Sequence, residues 1–173
     1  HDCTLNAEPR IHTLISPIDV AASDGSLEFY KQMMIKLDDM NPKNIYGNMH
    51  PLFVAAGYGQ FEICKHVIGE LEDKNPARPD GVTPLFMAAQ KGHYDICELI
   101  IVNVDNKNPA TPDGVTALYI AVEKRHDDIW TFIIGSVEDK NPACHDGLTP
   151  LFVAAQNGEC EIFQLIFESL NNE

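Results

Sequence analysis

Apolar residues in this chain recur at helical spacing in short runs, and turn residues interrupt them at regular intervals. Between Thr83 and Ile101, Leu85, Ala88 and Ala89 share one helical face at i, i+3 and i+4. A second stripe follows, with Ile96, Leu99, Ile100 and Ile101. Thr83 is a good N-cap, and Pro84 suits the first helical turn, where its missing N–H costs nothing. Gly92 predicts a left-handed residue closing the first helix. Asp80-Gly81 is a turn signal ahead of it. The pattern predicts a turn, a helix, a tight connection and a second helix.

That pattern is periodic. The block from Asp80 to Gly92 returns 33 residues later as Asp113-Gly114-Val115-Thr116-Ala117-Leu118, and again from Asp146 to Gly158. One period upstream stands Gly47-Asn48-Met49-His50-Pro51-Leu52. The pairs Asn41-Pro42, Asn75-Pro76, Asn108-Pro109 and Asn141-Pro142 mark the ends of units. They divide the chain into five: a degenerate unit 16–43, then 44–76, 77–109, 110–142 and 143–173, with 1–15 as an N-terminal extension outside the pattern. The step from Ala21 to Ala55 is 34 residues, so one extra residue sits near Lys43-Asn44. A fixed period of this length means stacked units, none of which buries its apolar face alone.

The order Asp-x-Gly, Thr-Pro-Leu, Ala-Ala, Gly and an Ile-bearing second helix resembles the ankyrin repeat, over roughly Ser16 to Leu170. The resemblance implies an all-α solenoid of stacked helix-turn-helix units joined by β-turn or hairpin fingers. It also implies a groove lined by the fingers and the ends of the first helices. Two departures stand out. Asp19, Phe53, Phe86, Tyr119 and Phe152 occupy the position where the family usually has His, which implies that aromatic packing replaces part of an inter-repeat hydrogen-bond network. Leu71, Val104, Val137 and Leu170 stand where the family's Gly closes the second helix, so the return loop is expected to differ.

The fourth unit is expected to be the least regular. Ala117 replaces Pro, Val122 replaces Ala, and Arg125 stands in the place of Gly. A non-Gly residue held left-handed costs about 1–2 kcal/mol, so this unit is either strained or ends its first helix differently. Trp130 occupies the slot of Cys64, Cys97 and Phe163 and reads as core, and His50 reads as a substitute cap.

At 173 residues and 45% hydrophobic, the chain can bury a continuous core. No apolar run is long enough to span a membrane, so membrane insertion is not expected. The net charge of −14 disfavours nucleic acid as a partner. The acids cluster after the second helices: Asp38 and Asp39, Glu72 and Asp73, Asp105, Glu138 and Asp139. Charges ~10 Å apart repel by only about 0.4 kcal/mol in water. The ridge therefore reads either as a solubilising edge or as a site for a basic partner or divalent cations, although the calcium-loop spacing of an EF-hand is absent. Cys64 and Cys97 sit one unit apart, and neighbouring helices about 8–10 Å apart leave them too distant for a relaxed disulfide. They read as core thiols, Cys144 as an exposed finger residue, and the cellular setting as reducing and cytoplasmic.

No nucleophile, base and oxyanion donor converge in the sequence, and there is no phosphate loop, His-Glu-x-x-His or Ser elbow. Catalytic residues, metal ligands and cofactors are not expected. The expected function is recognition of a protein or peptide on the concave face. Its candidate residues are the apolar line Met49, Val82, Val115 and Leu148, the helix-end row Tyr58, Lys91, Lys124 and Asn157, and Tyr46, Arg78, Gln90, His145 and Gln156. The apolar line has a second reading as packing within the fingers. The competing reading of the whole chain is a spacer or regulatory segment of a longer protein. It predicts a buried apolar line and an apolar end face, with further repeats or another domain after the C-terminus.

Overall fold

The computed structural model describes residues 17–37 and 50–171. Ten α-helices lie among these residues, in five pairs. They are α1 (Pro17–Asp24) with α2 (Leu27–Leu37), α3 (Pro51–Gly57) with α4 (Phe61–Glu70), α5 (Pro84–Lys91) with α6 (Tyr94–Ile101), α7 (Ala117–Glu123) with α8 (Asp127–Ser136), and α9 (Pro150–Asn157) with α10 (Cys160–Asn171). The first helices of the pairs contact one another in succession, and so do the second helices as far as α8. The result is a two-layer all-α stack, with no strand among the described residues.

Each first helix from α3 onward starts on a side-chain cap. The hydroxyls of Thr83, Thr116 and Thr149 accept the N–H of Phe86, Tyr119 and Phe152, each at 3.2 Å. In α3, His50 takes over this role, its Nδ1 accepting the Leu52 N–H at 3.1 Å. Three asparagines add a second tie. The side-chain oxygens of Asn75, Asn108 and Asn141 accept the N–H of Leu85, Leu118 and Leu151, ten residues ahead, at 2.9–3.1 Å. Each asparagine thus fastens the connecting loop to the start of the following first helix.

Among the described residues, α4, α6 and α8 end without a left-handed glycine, as their sequences predict. Leu71 and Val137 leave α4 and α8 in extended conformation. Side chains satisfy the terminal carbonyls instead: Lys74 donates to Ile68, Asn103 to Leu99, and Ser136 to Phe132. This meets the need of a helix end for partners for its last carbonyls.

The small pairs Ala55-Ala56 and Ala88-Ala89, and Ala121-Val122 where Val replaces the second Ala, are fully buried alongside Leu52, Leu85 and Leu118. Phe53, Phe86 and Tyr119 are buried where the family has His, so aromatic packing fills that position in units two to four. Trp130 is buried, with its indole N–H donating to Asp127 at 3.1 Å. Cys64 and Cys97 are core residues, and burial pushes both thiols up to about 12. Cys144 corrects an expectation, because it is buried rather than exposed. Its N–H donates to the Leu148 carbonyl, and its backbone lies against Gly114 of the preceding finger.

Candidate partner-binding face and the repeat joints

The three fingers among the described residues close in the same way. Arg78 and Val82 are linked by a backbone bond of 2.9 Å and Gly81 turns back onto Arg78 at 2.8 Å; Thr111/Val115/Gly114 and Cys144/Leu148/Gly147 repeat the geometry. Gly81, Gly114 and Gly147 all have φ near +80°, a conformation that favours glycine. A Cβ on Gly81 would lie 2.5 Å from the Pro112 ring, and one on Gly114 would lie 2.8 Å from the Cys144 Cα. Successive fingers therefore pack directly on one another.

This closure decides where the candidate residues point. Val82 and Val115 are 3% and 1% exposed, and the apolar line expected on the surface is not available there. Both valines belong to the buried core, and the next finger covers the glycine ahead of each. Leu148 is half-buried, and nothing among the described residues lies within 4 Å of a Cβ on Gly147. Tyr46 and Met49 lie outside the described residues, as do Asp38 and Asp39 of the acidic ridge.

The polar candidates lie differently. Tyr58, Lys91 and Lys124 are exposed, Asn157 is half-buried, and the four occupy one position in successive units. Gln90 is half-buried and Gln156 exposed beside them. Arg78 holds a fixed pose: its guanidinium lies 4.9 Å from the Phe53 ring centroid and 2.7 Å from the Asp80 carboxylate. His145 is exposed at a finger, where its backbone N–H donates to the Asp113 carbonyl of the finger before. The structure thus presents a row of dissimilar exposed side chains at the helix ends, beside fingers carrying exposed Asp80, Asp113 and Asp146. In the acidic ridge, Asp73 and Asp139 accept the N–H of Asn75 and Asn141, so part of that charge is structural.

A second constellation was not singled out by sequence reasoning. The left-handed residue that follows each of α1, α3, α5 and α7 faces one side chain of the following unit. Gln60 lies against Gly25 and donates to the Ser23 carbonyl at 2.7 Å. His93 lies against Gly59 with Nε2 at 3.3 Å from the Gly57 carbonyl, and His126 lies against Gly92 with Nε2 at 3.2 Å from the Gln90 carbonyl. These polar joints link the repeats where the family's usual His is missing. The signal was present in the sequence, since Gln60, His93, His126 and Glu159 recur at 33 residues. Their identities differ, which hides the recurrence.

The fourth joint changes chemistry. Arg125 takes the left-handed place with φ of +60°, the only non-Gly residue among those described to do so. Its Nε lies 3.2 Å from Glu159 Oε1, and its guanidinium also donates to the Asn157 carbonyl at 3.0 Å. The irregularity expected of unit four is therefore strain at Arg125, compensated by an ion pair. Burial and Asp127 raise the Glu159 carboxyl, and Arg125 opposes that shift.

Among the described residues, no three His, Cys, Asp or Glu side chains are placed to hold a metal ion, and no helix is long and apolar enough to cross a membrane. A shallow depression on the second-helix side is lined by Tyr94, Asp127, Asp128, Thr131 and Phe132. In comparison with known families, residues 18–110 and 99–173 match the family model for ankyrin repeats (3 copies). No curated protein matches the chain.

Proposed function

The chain belongs to the ankyrin-repeat family, and from that premise we propose that it is a non-catalytic recognition module for a protein or peptide partner. Ankyrin repeats are generally protein–protein interaction modules. The observation that carries the reading is the helix-end row. Tyr58, Lys91, Lys124 and Asn157 occupy one repeated position at the surface, while Leu52, Leu85, Leu118, Ala55, Ala88 and Ala121 earlier in the same helices are buried. A rigid scaffold displaying variable side chains loses little ordering entropy on binding. Tyr58 and Arg78 supply an aromatic and a guanidinium of the kinds enriched in interface cores. The lysines suit acidic groups on the partner, and Asp80, Asp113 and Asp146 suit basic ones. The described cysteines Cys64, Cys97, Cys144 and Cys160 are free thiols, which supports a cytoplasmic setting.

The test is affinity capture with the full chain beside the variant Tyr58→Ala with Lys91→Glu and Lys124→Glu, after circular dichroism shows equal folding. All three positions are exposed, so the fold should tolerate the change. A partner retained by the parent chain should bind the variant at least ~10-fold more weakly, as removal of central contacts does elsewhere. An unchanged partner set would assign binding to another face.

A second reading, a spacer or regulatory segment of a longer protein, is favoured by one observation. Val82 and Val115 are buried, while Phe152, Phe163, Leu165 and Phe167 are exposed around the last helix pair.

A further inference from the structure

The second-helix layer carries a place unlike the rest of the stack, at the step from α6 to α8. Tyr94 and Phe132 meet there edge to face, with ring centroids 5.7 Å apart and planes at 66°. Both rings are half-buried. With exposed Asp127, Asp128 and Thr131 they line a shallow depression of about 490 Å³. The same two positions hold Leu27 with His66, Phe61 with Leu99, and Asp127 with Leu165 at the other steps, so two benzenoid rings fall together only here. The position of Asp127 holds Leu27, Phe61, Tyr94 and Cys160 in the other units, which makes its carboxylate peculiar to unit four. A helix dipole favours an acid in the first turn. Helices α4, α6 and α10 each have one there, whereas α8 has two.

The two carboxylates are only partly used. Asp127 Oδ1 accepts the Trp130 indole N–H at 3.1 Å, and Asp128 Oδ1 accepts the Ile129 N–H at 2.9 Å. Each keeps a second oxygen, and among the described residues no ion pair reaches either acid. Arg125, two residues before Asp127, is committed to Glu159 and to the Asn157 carbonyl. Burial, then Glu98, Asp128 and Asp95, raise the Tyr94 hydroxyl above its ordinary value, so an anionic field surrounds that ring. The chain itself shows what such a place holds. In the finger of unit three, the Arg78 guanidinium lies 4.9 Å from the Phe53 ring centroid and 2.7 Å from the Asp80 carboxylate. At the depression, rings and carboxylates converge with no cation among the described residues.

We infer that the depression between Tyr94, Phe132, Asp127 and Asp128 docks an arginine side chain presented by a basic segment of a partner protein. A guanidinium stacks on an aromatic face and offers its remaining donors to carboxylates in one plane, which an ammonium does not. A shallow depression does not enclose a small molecule, but it takes one side chain from a segment that continues across the surface. The acids repel a phosphate-bearing partner at this place. The site shares no residue with the helix-end row, so the outcome of the capture experiment leaves it untouched.

Titration of the full chain, followed by nuclear magnetic resonance, tests the inference. The probe is a capped glycine–serine peptide carrying two arginines, beside twins with citrulline or lysine in their place. The arginine peptide should shift the amides of Tyr94, Asp128, Thr131 and Phe132 saturably, with roughly millimolar affinity. The citrulline twin should bind at least ~5-fold more weakly, and the lysine twin should fall between the two. Phe132→Leu introduces the residue that Leu99 and Leu165 already supply at that position, and Asp128→Asn keeps the oxygen that accepts the Ile129 N–H, so both variants should fold. Each should weaken the arginine peptide by at least ~3-fold while circular dichroism stays unchanged. Unchanged affinity in both folded variants would overturn the inference, as would equal binding of the arginine and citrulline peptides. Shifts spread evenly to exposed Asp80, Asp113 and Asp146 would also overturn it, by showing general attraction to an acidic surface. A lysine peptide bound as tightly as the arginine peptide would overturn the choice of a guanidinium.

Discussion

The joint between units three and four and the open face of unit five are built from nearly the same residues, yet they differ in every physical respect. Trp130 and Phe163 hold the same slot, and their exposures are 3% and 38%. Gly92 is filled by an imidazole, and Gly158 faces open space. The residues of the first-helix face are therefore not intrinsically core residues. They become core when a neighbour supplies the other half, as repeat architectures require.

The sharpest test of this contrast is truncation at the shared slot. Trp130→Ala should cost about 3–5 kcal/mol, because it removes a buried indole and leaves a cavity. Phe163→Ala should cost less than about 1 kcal/mol, since a partly exposed side chain loses little burial. Urea unfolding of the two variants measures both, and equal losses would break the comparison.

The N-terminal side of the stack adds a pH-dependent contrast between caps. Burial holds the His50 imidazole down at about 4, below its ordinary 6.5. The unfolded chain takes up this proton first as pH falls, so the stability is complete above about 6.5 and is lost on the way down to about 4. The full window corresponds to about 3 kcal/mol. His50→Thr, which restores the cap of the other units, should flatten thermal midpoint against pH over that range. Parallel profiles for the two proteins would mean that another group governs the acid limb.

Glycine substitution gives a smaller effect of the same kind. Gly92→Ala places a methyl within 2.8 Å of the His126 ring in a left-handed conformation and should cost about 2 kcal/mol or more. Gly158→Ala meets only the conformational strain and should cost about 1 kcal/mol. Smallest is the repair of the fourth joint. Arg125→Gly together with Glu159→His rebuilds the interior chemistry and should stabilise by about 1 kcal/mol, because an ion pair between an exposed Arg125 and a largely covered Glu159 offsets only part of the left-handed strain. A destabilised double variant would show that the ion pair outweighs the strain.

The helices, their threonine caps and the left-handed Gly92 were legible in the sequence because they depend on neighbours within one turn. The 33-residue period carried the stack itself. The candidate face was read less completely. Tyr58, Lys91 and Lys124 are exposed as their polarity and position suggest, but Val82 and Val115 are not, and Cys144 is not. Their burial depends on packing between neighbouring fingers, as where Cys144 lies against Gly114, which no local pattern encodes. The joint formed by Gln60, His93, His126 and Glu159 was present at the right spacing, yet one carboxamide, two imidazoles and a carboxylate do not look alike until they are seen to fill one slot.

What the sequence by itself determined is therefore the repeating unit: its length, its helices, its caps and the apolar faces that must find a neighbour. Periodic local chemistry is sufficient for that. Tertiary structure decided which faces found one. Identical residues at Phe86 and Phe152 end up buried and exposed, because burial belongs to the pair of units in contact and the sequence of a single unit specifies only one side of it.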